Sequence, residues 1–222
     1  MKVERGMNFR STPIRPALTA WALLGALTAM LGFGATVARA DGDAAKGKTL
    51  AYTCHGCHGI PDYKNAYPTY TVPKLGGQHP KYIEAALGEY DSGDRAHPTM
   101  HAQAASLSAQ DRADIAAFFS SQPAPAKEVV GTPPPAAQTC AACHGADGVK
   151  TQGEDFPVLG GQYQDYIEQA LKDYKSGKRK NPIMTGIVAS LKDEDIPAIA
   201  RFFSQQTALC STDQIRLHGK CQ

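Results

Sequence analysis

Two pentapeptides, Cys54-His55-Gly56-Cys57-His58 and Cys140-Ala141-Ala142-Cys143-His144, place two thiols three positions apart with an imidazole directly after the second. Thiols at this spacing can each form a thioether to a vinyl group of one haem, and the histidine that follows then lies under the iron as its proximal ligand. A Cys-X-X-Cys pair alone would also suit a redox dithiol or half of a zinc site. Two copies, each with its own histidine, favour haem. The motifs predict two covalent haem c groups. One is held by Cys54 and Cys57 with His58 on the iron, the other by Cys140 and Cys143 with His144.

The second axial ligand follows from the methionines, of which the chain has 5. Met1, Met7 and Met30 fall in an N-terminal segment that reads as removable, which leaves Met100 and Met184. A distal thioether fills the sixth position of the iron and raises its reduction potential. A filled position leaves no room for substrate, so the pair predicts an electron carrier and not an enzyme. His97 and His101 flank Met100 as rival ligands, but Lys180, Asn181 and Thr185 take the comparable places in the second half. His55, His79 and His218 are likewise unrepeated, and all five histidines read as surface or supporting groups. Arg95 and Arg179 each precede a methionine by five residues, where a fixed charge suits a haem propionate. Pro98 and Pro182 stand two residues before each methionine and should stiffen a ligand loop. The chain shows no Ser/His/Asp set, paired-carboxylate site or phosphate loop.

The elements that position these groups come in two copies. Pro73-Lys74-Leu75-Gly76-Gly77-Gln78 matches Pro157-Val158-Leu159-Gly160-Gly161-Gln162, Tyr82-Ile83-Glu84 matches Tyr166-Ile167-Glu168, and Phe118-Phe119 matches Phe202-Phe203, all 84 residues apart. The haem motifs are 86 apart, so the first half holds two extra residues between His58 and Pro73. Such self-similarity indicates a duplicated domain. Apolar spacing predicts helices over 81–90 and 164–174, stopped at Gly93 and Gly177, and a short helix from Ala44 leading to Cys54. Ser108 to Asp111 resembles a capping box for a helix ending at Phe119. Its partner runs from about Lys192 to Phe203, with acids in the first turn and Pro197 as an awkward residue. No alternating run argues for a sheet. Residues 123–138 are Pro-rich and predict an extended, semi-rigid connector.

Residues 1–40 read as a secretory signal, with basic residues first, an apolar stretch from Ala17 to Val37, and Ala38-Arg39-Ala40 as a cleavage site. The apolar stretch is also long enough to be an anchor, but its end favours cleavage. The full chain has 23 Lys+Arg and 21 Asp+Glu. Without the signal it holds 18 and 20, so the basic pI carries no argument for nucleic-acid binding. No other run approaches spanning length, which predicts no membrane span after cleavage and at most peripheral association.

With these motifs in place, the chain resembles the class I dihaem cytochromes c of the cytochrome c4 family over roughly Asp43 to Gln205. The resemblance implies an all-α fold of two tandem cytochrome c domains related by pseudo-twofold symmetry. The expected organisation is a signal at 1–40, a first domain at 41–122, the connector at 123–138, a second domain at 139–206 and a C-terminal extension at 207–222. The resemblance also implies a periplasmic shuttle between an upstream cytochrome or dehydrogenase and a terminal oxidase. The alternative is an electron-accepting subunit of a dehydrogenase complex, such as a flavocytochrome c sulfide dehydrogenase.

Three features depart from the repeat. Cys210 and Cys221 lie in the extension, and in an oxidising compartment they form a candidate disulfide. Residues 60–72, rich in Tyr and Pro, are expected to cover the first haem or form a docking surface. Lys178-Arg179-Lys180 suggests a positive rim on the second domain, facing an acidic partner.

Overall fold

The computed structural model describes residues 41–60, 62–122 and 128–213. In the first half α1 (Ala44–Leu50) starts where the Asp43 carboxylate accepts from the amides of Ala45 and Lys46. A single turn, α2 (His55–His58), carries the first haem motif. The helices α3 (Pro80–Ser92), α4 (Pro98–Ala104) and α5 (Ala109–Ser120) follow. α1 and α3 both pack on α5, and α4 packs on α3. Gly47 makes the α1–α5 crossing close, because a Cβ there would fall 1.9 Å from the Asp114 carbonyl oxygen. The core beneath is Ala51, Ile83, Ile115, Ala116, Phe118 and Phe119.

The second half repeats the plan. A 3₁₀ turn at Pro135–Ala137 leads into α6 (Gln138–His144), then α7 (Gln164–Ser176), α8 (Pro182–Ala189) and α9 (Ile196–Ser204). α7 packs on α8 and α9 over Ile167, Leu171, Val188, Ile199, Phe202 and Phe203. Gly93 and Gly177 end α3 and α7 in the left-handed conformation, with φ of 81° and 75°, which glycine adopts without a Cβ clash. The all-α, two-domain reading therefore holds. Among the described residues there is no strand, only three isolated bridges.

The structure refines several expectations. The capping box forms as read, with Ser108 Oγ accepting from Asp111 N while Asp111 accepts from Ser108 N. Its counterpart does not start at Lys192. The acids of Asp193–Asp195 form a 3₁₀ turn and α9 begins at Ile196, so that Pro197 falls in the first turn where no amide is needed. The methionines stand in the first turns of α4 and α8 and not in loops, with Pro98 and Pro182 opening each helix. The end of the connector turns into 3₁₀ helix and then into α6. Residues 123–127 and the signal lie outside the described residues. No helix among the described residues is long and apolar enough to cross a membrane.

The two halves meet along a seam that follows the repeat. Ala96 N donates to Lys178 O at 2.8 Å and Lys180 N donates to Asp94 O at 2.8 Å, around an Arg95–Arg179 bridge. Positions 94 and 178, 95 and 179, and 96 and 180 are equivalent, so the local pseudo-twofold axis passes between the two arginines. Of Lys178-Arg179-Lys180 only Arg179 is withdrawn from the surface, while Lys178 and Lys180 stay exposed. Arg179 is 6% exposed, Lys178 offers its carbonyl to the first half, and Lys180 Nζ lies 3.3 Å from Asp94. A peptide ladder needs this segment at the interface, whatever its side-chain charge.

Candidate haem sites

Each site begins with a histidine held by a proline carbonyl. His58 Nδ1 lies 2.8 Å from Pro73 O, and His144 Nδ1 lies 2.8 Å from Pro157 O. A carbonyl oxygen only accepts, so Nδ1 carries the proton and Nε2 keeps its lone pair for a metal. Burial pushes both imidazoles below their usual range, with the proline carbonyl pulling the other way. They are therefore neutral at pH 7, as iron ligation requires.

The thiols fit the same group. Cys54, Cys57, Cys140 and Cys143 are all unbridged. Burial pushes Cys54 and Cys140 up, away from the thiolate that zinc prefers. Among the described residues no group of three or more His, Cys, Asp or Glu side chains gathers to hold a metal ion, so the zinc reading lacks a ligand set.

The methionines are fixed from their helix starts. His97 Nδ1 accepts from Met100 N at 3.2 Å, and Asn181 Oδ1 accepts from Met184 N at 3.1 Å. His97 is thus a helix cap in the same place as Asn181. His101 Nδ1 bonds the Tyr90 carbonyl at 2.9 Å. His79 Nε2 reaches Thr151 Oγ1 at 2.8 Å, across the two halves. His218 lies outside the described residues.

Arg95 and Arg179, each 6% exposed, sit back to back in a nest of tyrosines. Arg95 Nη2 meets Glu89 Oε2 at 2.6 Å, with its guanidinium 4.9 Å from the centre of the Tyr90 ring. Arg179 Nη2 donates to Tyr82 Oη at 2.6 Å and stacks 4.5 Å from the Tyr174 ring. Burial pushes the Tyr82 phenol up, but the two arginines outweigh it and hold it below its usual range. Both arginines leave Nε buried without a hydrogen-bond partner (Arg112 Nε is the only other guanidinium atom in that state among the described residues). Buried donors without acceptors next to each methionine helix fit a haem carboxylate.

The reading from sequence missed the two glutamines of the repeated Pro-X-Leu-Gly-Gly-Gln segments. Each is 5% exposed and bonds across the halves. Gln162 Oε1 accepts from Lys74 N at 2.9 Å and its Nε2 donates to Lys74 O at 3.0 Å. Gln78 does the same to Val158, at 2.9 and 3.0 Å. The repeat of an amide beside two glycines was the available signal, but it told only of duplication.

The profile of the cytochrome c family matches twice, over residues 44–123 and 135–207. The chain belongs to the cytochrome c family. A cytochrome c4 of Pseudomonas aeruginosa is 36% identical over 195 residues, covering 78% of this chain and 94% of that protein. The crystal structure of reduced cytochrome c4 from Pseudomonas stutzeri superposes with a TM-score of 0.59 at 30% identity, over 74% of this chain and 99% of that one. A thiosulfate dehydrogenase electron acceptor of Stutzerimonas stutzeri is 28% identical, covering 83% of this chain and 94% of that protein. This cytochrome is a dihaem electron carrier and not an enzyme, with one Cys-X-X-Cys-His motif for each of two haem c groups.

Proposed function

We propose that this cytochrome is a periplasmic shuttle whose two haems are both His/Met-ligated, and that it delivers electrons towards a terminal oxidase. In this reading Cys54, Cys57, Cys140 and Cys143 form the thioethers. His58 with Met100 and His144 with Met184 bind the irons, and Arg95 and Arg179 bond the propionates. The domains are 41–122 and 139–206, joined by 123–138, and the signal at 1–40 directs export. The observation that carries the reading is the equivalence of the two sites: matched 2.8 Å His–Pro bonds and matched methionine helices. Haem supplies a one-electron Fe(III)/Fe(II) couple. The chain holds each imidazole neutral and oriented, offers a thioether from a capped helix, and buries the arginines between the halves. Those burials bring the two sites to one seam, which favours exchange of electrons between them.

A spectroscopic redox titration tests the assignment. Met100→Ala and Met184→Ala should each lower the potential of one haem only, by on the order of a tenth of the ~0.8 V that axial ligation commands. If neither substitution altered the spectrum, the distal ligands would be wrong. The likeness to a thiosulfate dehydrogenase electron acceptor favours a second reading, in which the upstream donor is a dehydrogenase to which this chain docks. Co-purification of the native protein with a dehydrogenase would support it.

We also infer a bridge between Cys210 and Cys221. Cys210 is buried against the first core, and Cys221 lies outside the described residues. Two free thiols in the unfolded, unreduced protein would exclude it.

A further inference from the structure

The proximal histidines and the cross-domain glutamines share one peptide group on each side of the seam. His58 Nδ1 donates to the carbonyl of Pro73, and the amide of the same peptide unit, Lys74 N–H, donates to Gln162 Oε1 at 2.9 Å. On the other side His144 donates to Pro157 O, and Val158 N–H donates to Gln78 Oε1 at 2.9 Å. Each chain of bonds therefore runs from a histidine of one half to a glutamine of the other. We propose that Gln162 is a positioning residue for the first haem and Gln78 for the second, each tuning the haem of the opposite domain through this relay. The proposal rests on His58 and His144 being the proximal ligands.

The geometry commits each glutamine to this role. Both side chains are 5% exposed, so their amides cannot trade partners with water. The Nε2 end is held by the carbonyl of the same residue whose amide it bonds, at 3.0 Å on both sides. The Oε1 end also accepts from His79 N at 3.0 Å and Tyr163 N at 3.1 Å, which fixes the amide at the start of α3 or α7. This bond set leaves one orientation for the amide. Hydrogen bonds in series polarise one another, by about 10–30% per bond. An acceptor on Lys74 N–H makes Pro73 O a better acceptor for His58 Nδ1–H. The imidazole becomes a more basic ligand, as its supporting partners generally ensure. A more basic ligand favours the ferric state, so the relay lowers the potential of the haem it serves.

The test is a crossed pair of isosteric variants, Gln162→Met and Gln78→Met, in the full dihaem protein. Gln162→Met should raise the potential of haem 1 and leave haem 2 in place, and Gln78→Met should do the reverse. About a twofold change in the reduction equilibrium is expected, about 18 mV at 59 mV per tenfold for one electron. Combination with Met100→Ala tells the haems apart. A glutamine that only joined the domains would shift both potentials together or neither, and either result overturns the proposal. So would a shift confined to the haem of the substituted domain. A second measurement needs no variant. In the native protein the Lys74 and Val158 amides should exchange slowly with solvent, and exchange at free-peptide rates would remove the relay. Failure of the ligand reading looks different, because the unaltered protein would then lack a His/Met low-spin spectrum from the outset.

Discussion

The two halves share a core plan and a seam, but they differ in two segments, a loop before the Pro-X-Leu-Gly-Gly-Gln motif that is two residues longer in the first half and a tail after α9 in the second, and each of these touches the opposite half. In the first half residues 62–72 fold as a hairpin in which Val72 N donates to Tyr63 O at 2.8 Å. Its base lies on the second half, where Thr71 N and Oγ1 both bond Asp165 and Tyr70 packs beside Tyr166. In the second half the chain after α9 returns to the first. Cys210 pairs with Gly76 through two backbone bonds of 3.0 and 3.2 Å, while Leu209 N bonds Gly160 O. The shared seam is symmetric and the additions are not. Duplication alone gives two equal domains that face each other. The unequal segments tie each domain over its partner, which resists separation more than a local contact patch would.

Three pairs of substitutions test this comparison. The largest effect belongs to what the halves share. Phe119 and Phe203 are 0% and 1% exposed, and truncating either to Ala should cost ~3–5 kcal/mol. Urea unfolding should show similar losses for both. A near-neutral Phe119→Ala would mean the first core is not built like the second.

The next effect separates the halves. Asp165 anchors the hairpin through Thr71 and Lys64, whereas its counterpart Lys81 reaches only Glu154 at 3.7 Å with both side chains largely exposed. Asp165→Ala should therefore cost ~1–2 kcal/mol and Lys81→Ala under about 1 kcal/mol. Equal losses would deny the hairpin its docking role.

The smallest effect concerns helix starts. Ser108→Ala removes a capping box and should cost ~1 kcal/mol, while Lys192→Ala removes no cap and should fall within ~0.5 kcal/mol. The Ser108 hydroxyl and amide hold the Asp111 carboxyl below its usual range. Its contribution is present above the usual aspartate pKa and is lost as the pH falls through the lowered value. The difference between Ser108→Ala and the parent should accordingly shrink in acid. A thermal midpoint series that kept the same gap down to pH 2 would argue against the box.

Local patterns were the readable part. The helices over α3 and α7, their glycine stops and the capping box follow from spacing within one segment, and the match of Met100 with Met184 follows from the 84-residue repeat. The short helices α4 and α8 were read as loops, because His97 as a cap has no sequence signature comparable to Asn181. The basic triplet at 178–180 reads as surface because charge usually seeks water, and Lys178 and Lys180 are exposed while Arg179 is buried. Here the triplet serves through its backbone, and Arg179 is compensated by Tyr82 from the other half.

By itself the sequence determined the number of haems, the placing of one methionine at the same repeat position in each half, and the duplication, since each depends on residue type at a set spacing. Tertiary structure alone decided that Gln78 and Gln162 reach across to the peptides behind His144 and His58, and that the unequal segments lie on opposite halves. Those contacts join residues about 80 positions apart, where the chain leaves no periodicity to read and only the docking of one half on the other brings donor to acceptor.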